Sequence, residues 1–437
     1  MSAPEAGQAG ADEGSIEEAM ADVRLDRILA DAARLIAAPS ENPGAGEGPA
    51  VEALAELCRE LGAEVMLGEV APGRMNLHAT ICGERSGAPI MFLGHSDVVP
   101  AGEGWSGDPF VPRIEGGRLI GRGATDMKGG LAAVLEAMRV LAELEIDHPI
   151  ELLVTVDEED RATGVLHYLQ HAADRELLAL VVAEPTDLDT IVGCRGAANL
   201  RLEISGRAAH AGRPSDGASA IDAACRIVGL IGEEAERFER EAEGDWWRPT
   251  WNVGRIQGGH GTSIVADRCA LDLDRRLMPE ESTDRILEGL LARIADSDAI
   301  REGIAVTGAV DMSMPGFLVD EGSMLPRLAR EAVERAGGAS RIDRWTAACE
   351  GGFLARRHGV PTIILGPGEI TTQAHQPDES VRIDDLGIAA RAYVALALEL
   401  AAAADADRDL GDAPRVPPWR RRMSRATATP VGLPERG

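Results

Sequence analysis

Two histidines and a set of acids stand in this 437-residue chain where their types could hold a divalent cation. His95 and Asp97 lie in HSDVVP and Asp126 in GRGATDMKGG. Asp157, Glu158 and Glu159 form a run, Glu184 lies in AEPT, and His375 lies in QAHQPDES. Mixed imidazole and carboxylate donors suit zinc, cobalt or manganese. Clustering so many carboxylates without a cation would cost heavily in mutual repulsion. One such residue would carry no weight, because surface carboxylates are ordinarily solvated. Two histidines and several acids, each just past an apolar run or just before a helical one, are harder to set aside.

The elements that must position these groups are legible in the hydropathy pattern. IMFLG (90–94), IELLVTV (150–156) and ALVVA (179–183) are short continuous apolar runs, as expected of strands buried on both faces. IILG (363–366) returns to that texture late in the chain. Residues 65–67 and 77–82 also read as strands. Leu25, Ile28, Leu29, Ala32, Leu35 and Ile36 recur at threes and fours and predict a helix, closed by Pro39 and the SENP run. Further helices are predicted over 49–61 and 129–143. Alternating helices and buried strands imply an α/β fold with a mostly parallel open sheet, whose ligand site lies at the carboxyl ends of its strands. His95, Asp97, the 157–159 run, Glu184 and His375 all follow such strands, and Asp126 precedes a helix. Near Cys194 the pattern changes. ANLRLEIS (198–205) alternates like a half-buried antiparallel strand, a long helix is expected over 218–238, strands over 251–257 and 264–275, and a helix over 283–295. This predicts a small α+β domain inserted into the α/β domain. The expected boundaries are a disordered lead over 1–20, a first stretch of the α/β domain over 21–194, the insert over 195–308, a second stretch of the α/β domain over 309–402, and a disordered tail over 403–437. The tail's basic VPPWRRRMSR reads as a solvated end, with a docking segment as the alternative.

Seven pieces in this order and spacing resemble the metal-dependent aminoacylase, carboxypeptidase and deacetylase family, of the acetylornithine deacetylase and succinyl-diaminopimelate desuccinylase type. They are GHSDVVP (94–100), GRGATDMKGG (121–130), DEE (157–159), AEPT (183–186), AHAGRP (209–214), RLMPEE (276–281) and LGPGEITTQAHQPDE (365–379). The resemblance runs from about residue 25 to 400, and Glu350 in ACEGGF fits the acetylornithine deacetylase branch. It implies a catalytic α/β domain, a lid that also makes a homodimer, and two divalent ions, zinc or cobalt with manganese as a further option. Asp126 would bridge them, His95 and Glu184 would complete one, and Glu159 and His375 the other. Asp97 would hold the His95 ring. Glu158 would be the general base towards a metal-bridging water, since an unligated acid can take that proton and pass it to the leaving nitrogen. His210 in AHAGRP would reach the neighbouring subunit's site to stabilise an oxyanion, and Arg276 would bind the substrate carboxylate. Where family members often have Asn-Val-Val-Pro-Asp, this chain reads SIVAD with Ser263 in the Asn position, so substrate contacts from the lid differ. The implied reaction removes an acyl group, acetyl foremost, from the α-nitrogen of a small-molecule N-acyl-amino acid such as N-acetylornithine. A dipeptidase, a glutamate-type carboxypeptidase or a desuccinylase on the same site is the alternative. An inactive amino-acid-binding protein is the alternative from another class, and the presence of Glu158 and all five ligands argues against it. Asp157 reads as a strand-end residue that orients its turn, and Lys128 as a helix-start surface charge.

Composition narrows the remaining classes. A net charge of −29 argues against nucleic acid, which calls for clustered cations, and against an anionic membrane surface. Lys128 is the only lysine, and the other basic side chains are arginines; this is the mark of a GC-rich genome, with salt adaptation as the alternative. Six scattered cysteines without a CxxC suggest neither a disulfide framework nor a thiolate zinc site. The acidic N-terminal segment lacks the basic and apolar regions of a signal peptide, and the apolar stretch 388–404 is interrupted by Arg391 and Glu399, as in a water-soluble helix. The chain therefore reads as cytoplasmic. GRGATD is weakly glycine-rich but lacks the G-x-G-x-x-G of a dinucleotide-binding turn.

Overall fold

The computed structural model describes residues 13–44, 46–82, 87–144, 146–242 and 247–409. The chain starts with helices α1 (Glu13–Ala21), α2 (Leu25–Ile36) and α3 (Gly48–Glu60). α2 buries Ile28, Ala32, Leu35 and Ile36, the face marked by their spacing. Pro49 occupies the first turn of α3, where its missing N–H leaves no bond unmade. Strands β1 (Glu64–Ala71) and β2 (Arg74–Ile81) form an antiparallel hairpin, closed through Gly73 at φ +76°, a backbone angle that glycine adopts without steric cost. The α/β body follows with β3 (Ile90–His95), the short β4 (Arg113–Glu115) and β5 (Arg118–Ile120), α4 (Lys128–Ala142), β6 (Ile150–Thr155), α5 (Thr163–His171), β7 (Ala179–Val182) and β8 (Thr190–Cys194).

The chain then leaves this sheet. β9 (Gly196–Ser205), α6 (Ala220–Glu241), β10 (Thr250–Gly258), β11 (Arg268–Leu277), α7 (Thr283–Ala295) and β12 (Ala305–Met314) build a separate layer. Its strands lie in the order β10-β11-β9-β12 and are antiparallel throughout. Alternate residues Ala198, Leu200, Leu202 and Ile204 of β9 face α6 and α7 in one apolar cluster, so the opposite face of that sheet is left for other work. Ser219 caps α6 by accepting a hydrogen bond from the Asp222 N–H at 3.1 Å. The chain returns through β13 (Phe317–Leu318), α8 (Met324–Arg335), β14 (Ile342–Trp345), α9 (Gly351–His358), β15 (Thr362–Ile364), β16 (Ser380–Arg382) and α10 (Ile383–Asp409).

The large sheet runs β1-β2-β6-β3-β7-β15-β8-β13, with β14 also on β8. Its central block is parallel: β3 pairs parallel with β6 and β7, and β15 with β7. The sheet is mixed rather than parallel throughout, because the β1–β2 hairpin joins β6 antiparallel and β8 pairs antiparallel with β13. Ile90, Phe92, Leu152 and Val181 point into one core with α2, α4 and α10. Met91, Leu93, Leu153 and Leu180 point into the other, with Phe353 and Leu354 of α9. Both faces are covered, which explains why these strands read as unbroken apolar runs.

Three sequence expectations change. The lead expected to be disordered over 1–20 contains α1, which buries Ile16, Ala19 and Met20 in the first core; residues 1–12 lie outside the described residues. The tail expected from 403 begins later, since α10 continues to Asp409, and VPPWRRRMSR lies outside the described residues. The boundary expected at 308 falls inside β12, whose alternating half-exposed pattern carries no mark of a domain edge. By length and composition Ile383–Ala406 could cross a membrane. Here its Leu386, Tyr393, Leu396 and Leu400 are buried in the first core, which makes it a core helix.

Candidate metal centre

The carboxyl ends of the parallel strands bring the sequence-marked residues together. His95 ends β3, and the 157–159 run follows β6. Glu184 follows β7, and His375 lies in the long connection from β15 to β16. Nε2 of His95 lies 3.1 Å from Oδ1 of Asp126 and 3.5 Å from Oε1 of Glu184. Nε2 of His375 lies 3.4 Å from the other Asp126 oxygen, Oδ2, and 3.2 Å from Oε1 of Glu159. Asp126 thus turns one oxygen to each histidine. Donor atoms of His95, Asp126 and Glu159 lie within 4.8 Å of one another. Two imidazoles and three carboxylates are the donor types that zinc, cobalt and manganese accept.

Electrostatics give the donor set its reason for a cation. Burial, with Asp126 and Glu159 nearby, pushes Glu184 up to about 7. Burial and Asp126 likewise raise Glu159. Glu158 is held well above the usual carboxylate range by burial and by Glu184, Glu159 and Glu350. His375 is pushed up to about 10 by its hydrogen bonds to Asp126 and Glu159. Burial opposes charge on His95, yet Glu184, Asp126 and Asp97 outweigh it and raise its pKa. The acids resist ionising together and the imidazoles attract positive charge, a conflict that a bound divalent ion removes.

Several groups hold this array without belonging to it. Asp97 was expected to fix the His95 ring through its carboxylate. The nearer contact to Nδ1 is its backbone carbonyl at 3.0 Å, with the carboxylate at 3.5 Å. That carboxylate also accepts the N–H groups of Glu158 at 3.2 Å and Glu159 at 3.1 Å, and a hydrogen bond from Nδ2 of Asn42 at 2.9 Å. Asp157 sits at φ 69° and accepts from Asn42 at 2.9 Å and from the Thr163 hydroxyl at 2.6 Å, so it orients the turn. Glu379 accepts the N–H groups of Thr125 at 2.8 Å and Asp126 at 3.0 Å, while its second oxygen accepts from Arg122 at 2.6 Å. Glu350 accepts from the Thr155 hydroxyl, and burial pushes its carboxyl up to about 8. Asn42 and Glu379 were not singled out from sequence. Asn42 carries no signal there, whereas Glu379 closes the same piece that contains His375. Lys128, read as a surface charge, is 1% exposed. It starts α4 beneath the site, donates to the Ala38 carbonyl at 2.8 Å, and burial lowers it to about 7.

The donor set opens into a cavity of about 350 Å³ between the two sheets. Asp126, Glu158, Glu159, Glu184 and His375 line its floor, and Arg276 and Asn199 of the smaller sheet line its wall. Arg276 donates from Nε to Asp274 at 3.0 Å. His210 and Ser263 are not among the residues that line it. Both are away from the buried core of the insert, and their segments meet elsewhere on it: His210 bridges Ile264, and the Ala211 N–H donates to the Ser263 carbonyl at 3.0 Å.

The profile of peptidase family M20/M25/M40 matches residues 91–399. The chain belongs to that family. This M20 chain is a metallopeptidase-type hydrolase of amide bonds, as the seven sequence pieces implied. It is 31% identical over 335 residues to the acetylornithine deacetylase of Pasteurella multocida, covering 75% of this chain and 85% of that protein. It is 28% identical over 338 residues to that of Aliivibrio salmonicida, covering 76% and 86%. In fold it matches the M20 family metallo-carboxypeptidase Sso-CP2 of Sulfolobus solfataricus, with TM-score 0.71, 19% identity and coverage of 86% of this chain and 99% of that one. It also matches the Bacillus subtilis YXEP protein, described as a dinuclear metal binding peptidase, with TM-score 0.65, 16% identity and coverage of 86% and 97%.

Proposed function

We propose that the M20 chain removes a small acyl group, acetyl foremost, from the α-nitrogen of an amino acid. The observation that carries this reading is one cavity with a metal-type donor set on its floor and a guanidinium, Arg276, on its wall. His95, Asp126 and Glu184 would hold one ion, and Asp126, Glu159 and His375 the other, with zinc, cobalt or manganese fitting the donors. Bound there, the ions supply Lewis acidity to the scissile carbonyl and acidify water. Glu158 takes the proton of the attacking water and delivers it to the leaving nitrogen as the C–N bond breaks. The products are a carboxylate and a free amino acid. Asp97 keeps the backbone at 158 and 159 in place, so the neighbouring acids point to different tasks. Arg276, its Nε held by Asp274, offers its terminal nitrogens to the substrate's α-carboxylate. His210, away from the cavity of its own chain, serves the oxyanion in the partner subunit of a homodimer, with Ser263 beside it. The reaction is assigned to the cytoplasm, in keeping with the fact that none of the six cysteines is in a disulfide.

The test is hydrolysis of N-acetyl-amino acids by the full chain. Exhaustive chelation is expected to abolish turnover, and Zn²⁺ or Co²⁺ to restore it. Full activity in a verified metal-free sample would overturn the two-ion reading. Glu158→Gln is expected to keep its metal content and lose roughly 10²–10⁴-fold in rate. If metal content and rate fall together, Glu158 is a ligand rather than the base.

A further inference from the structure

The face of the smaller sheet turned away from α6 and α7 ends in two cross-strand rows. One row is Arg276–Ala197–Met314 and the next is Asp274–Asn199–Met312, read across β11, β9 and β12. Because side chains alternate along a strand, these six share one face, and all six line the cavity. The rows are graded, with charge at the β11 end and methionine thioethers at the β12 end. Beyond the methionines the wall continues in Trp345 and Ile370 from the α/β body. Met314 and Trp345 belong to the second apolar core, and Met312 and Ile370 pack against it. The apolar half of the wall is therefore the exposed side of a packed core, a fixed surface with adaptable methionine facing.

The carboxylates around the cavity lie at its floor or beside a guanidinium, away from the methionines of β12. Asp126, Glu158, Glu159 and Glu184 belong to the floor. Asp274 pairs with Arg276 at 3.0 Å, and the exposed Asp160 lies 3.4 Å from Arg161. At the β12 end of the wall a cationic side chain on the substrate would leave water facing thioethers and an indole, which offer no charge to receive it.

We propose that the substrate is an N-acyl-amino acid bearing an uncharged, apolar substituent, which packs on Met312, Met314, Trp345 and Ile370 while Arg276 takes the α-carboxylate. This rests on the amidohydrolase reading above, and it sets the chain apart from a deacetylase that prefers an ornithine side chain. The apolar substituent can be the amino-acid side chain or the acyl chain, since either is carried by the scissile amide.

The experiment compares kcat/KM of the metal-loaded full chain on N-acetylornithine, N-acetylmethionine, N-acetylleucine, N-acetylglycine and N-octanoylglycine. N-acetylmethionine or N-acetylleucine is expected to exceed N-acetylornithine by at least about tenfold, a margin within reach of a hydrophobic pocket. A gain confined to N-octanoylglycine over N-acetylglycine would support the proposal and assign the wall to the acyl chain. N-acetylornithine turned over as well as the apolar substrates would overturn the proposal while leaving the amidohydrolase reading intact. Hydrolysis of none of the five would overturn both. Met312→Glu supplies a second readout, the methionine-to-ornithine ratio of kcat/KM, which does not depend on the fraction of folded enzyme. That ratio is expected to fall at least about tenfold, because the new carboxylate can receive the ornithine ammonium and interrupts the apolar wall; an unchanged ratio would count against the subsite.

Discussion

Asp126 owes its position to a side chain outside the donor set. Glu379 binds the Asp126 and Thr125 N–H groups through one oxygen and Arg122 through the other, and it lies four residues beyond His375. It therefore ties the loop of one proposed ligand, Asp126, to the loop of another, His375. Groups that orient ligands in this way typically matter by roughly 10–100-fold in metal affinity. Glu379→Gln keeps the shape but removes the charge that holds Arg122, so metal affinity is expected to drop by roughly 10–100-fold. Titration of the metal-free variant against a chromophoric chelator measures this, and an unchanged affinity would show that the clamp does not set Asp126. The grouping of His95, Asp126, Glu159, Glu184 and His375 was legible because each is a His, Asp or Glu just after an apolar strand or before a helix. Glu379 and Asn42 were not, since what they do is accept or donate hydrogen bonds to groups distant in sequence, and nothing local marks that. Lys128 was misread for the same reason: its partner is the Ala38 carbonyl, ninety residues away.

At the scale of elements, continuous apolar runs marked β3, β6 and β7 because both faces of those strands are covered. The 3.6-residue period marked α2, and α7 was expected over the residues it occupies. α1 was missed because its buried apolar residues, Ile16, Ala19 and Met20, mean little until α10 is present to receive them. β6 also carries a buried charge at the end away from the metal centre. Glu151 accepts from Arg175 at 2.6 Å and lies 3.0 Å from His78 Nε2, joining β6 to β2 and to the segment after α5. Burial pushes its carboxyl up, but His78 and Arg175 outweigh burial and bring it below the ordinary value. A carboxyl lowered on folding stabilises the fold above the ordinary carboxylate pKa, and that contribution is lost as pH falls through the folded value. Glu151→Gln is expected to cost about 1.5–3 kcal/mol near neutral pH, the range for hydrogen bonds to charged groups. Urea unfolding at a series of pH values should show the gap from wild type closing on acidification. A gap that stays constant or widens would show that the pair does not stabilise the native state.

Across the whole molecule, the donor set lies on the large sheet and His210 on the insert, outside the cavity of its own chain. If a partner subunit supplies that histidine, two defects in different chains can complement one another. His210→Ala is expected to lose about 10²–10³-fold in kcat, more than it weakens binding, because an oxyanion exists only in the transition state. Mixing it with Glu158→Gln under subunit exchange should regenerate activity, since one site of the heterodimer then has both an intact base and an intact borrowed histidine. Verified heterodimers without recovered activity would show that His210 serves its own chain or none. Lys128 has a separate consequence at this scale. It is the chain's only lysine and is enclosed at the foot of α4, so the native surface presents arginine guanidinium and no lysine ammonium. Acylating or cross-linking reagents aimed at ε-amines find no target on the folded protein. Reaction of that single ε-amine is thus a report that α4 has come away from the sheet.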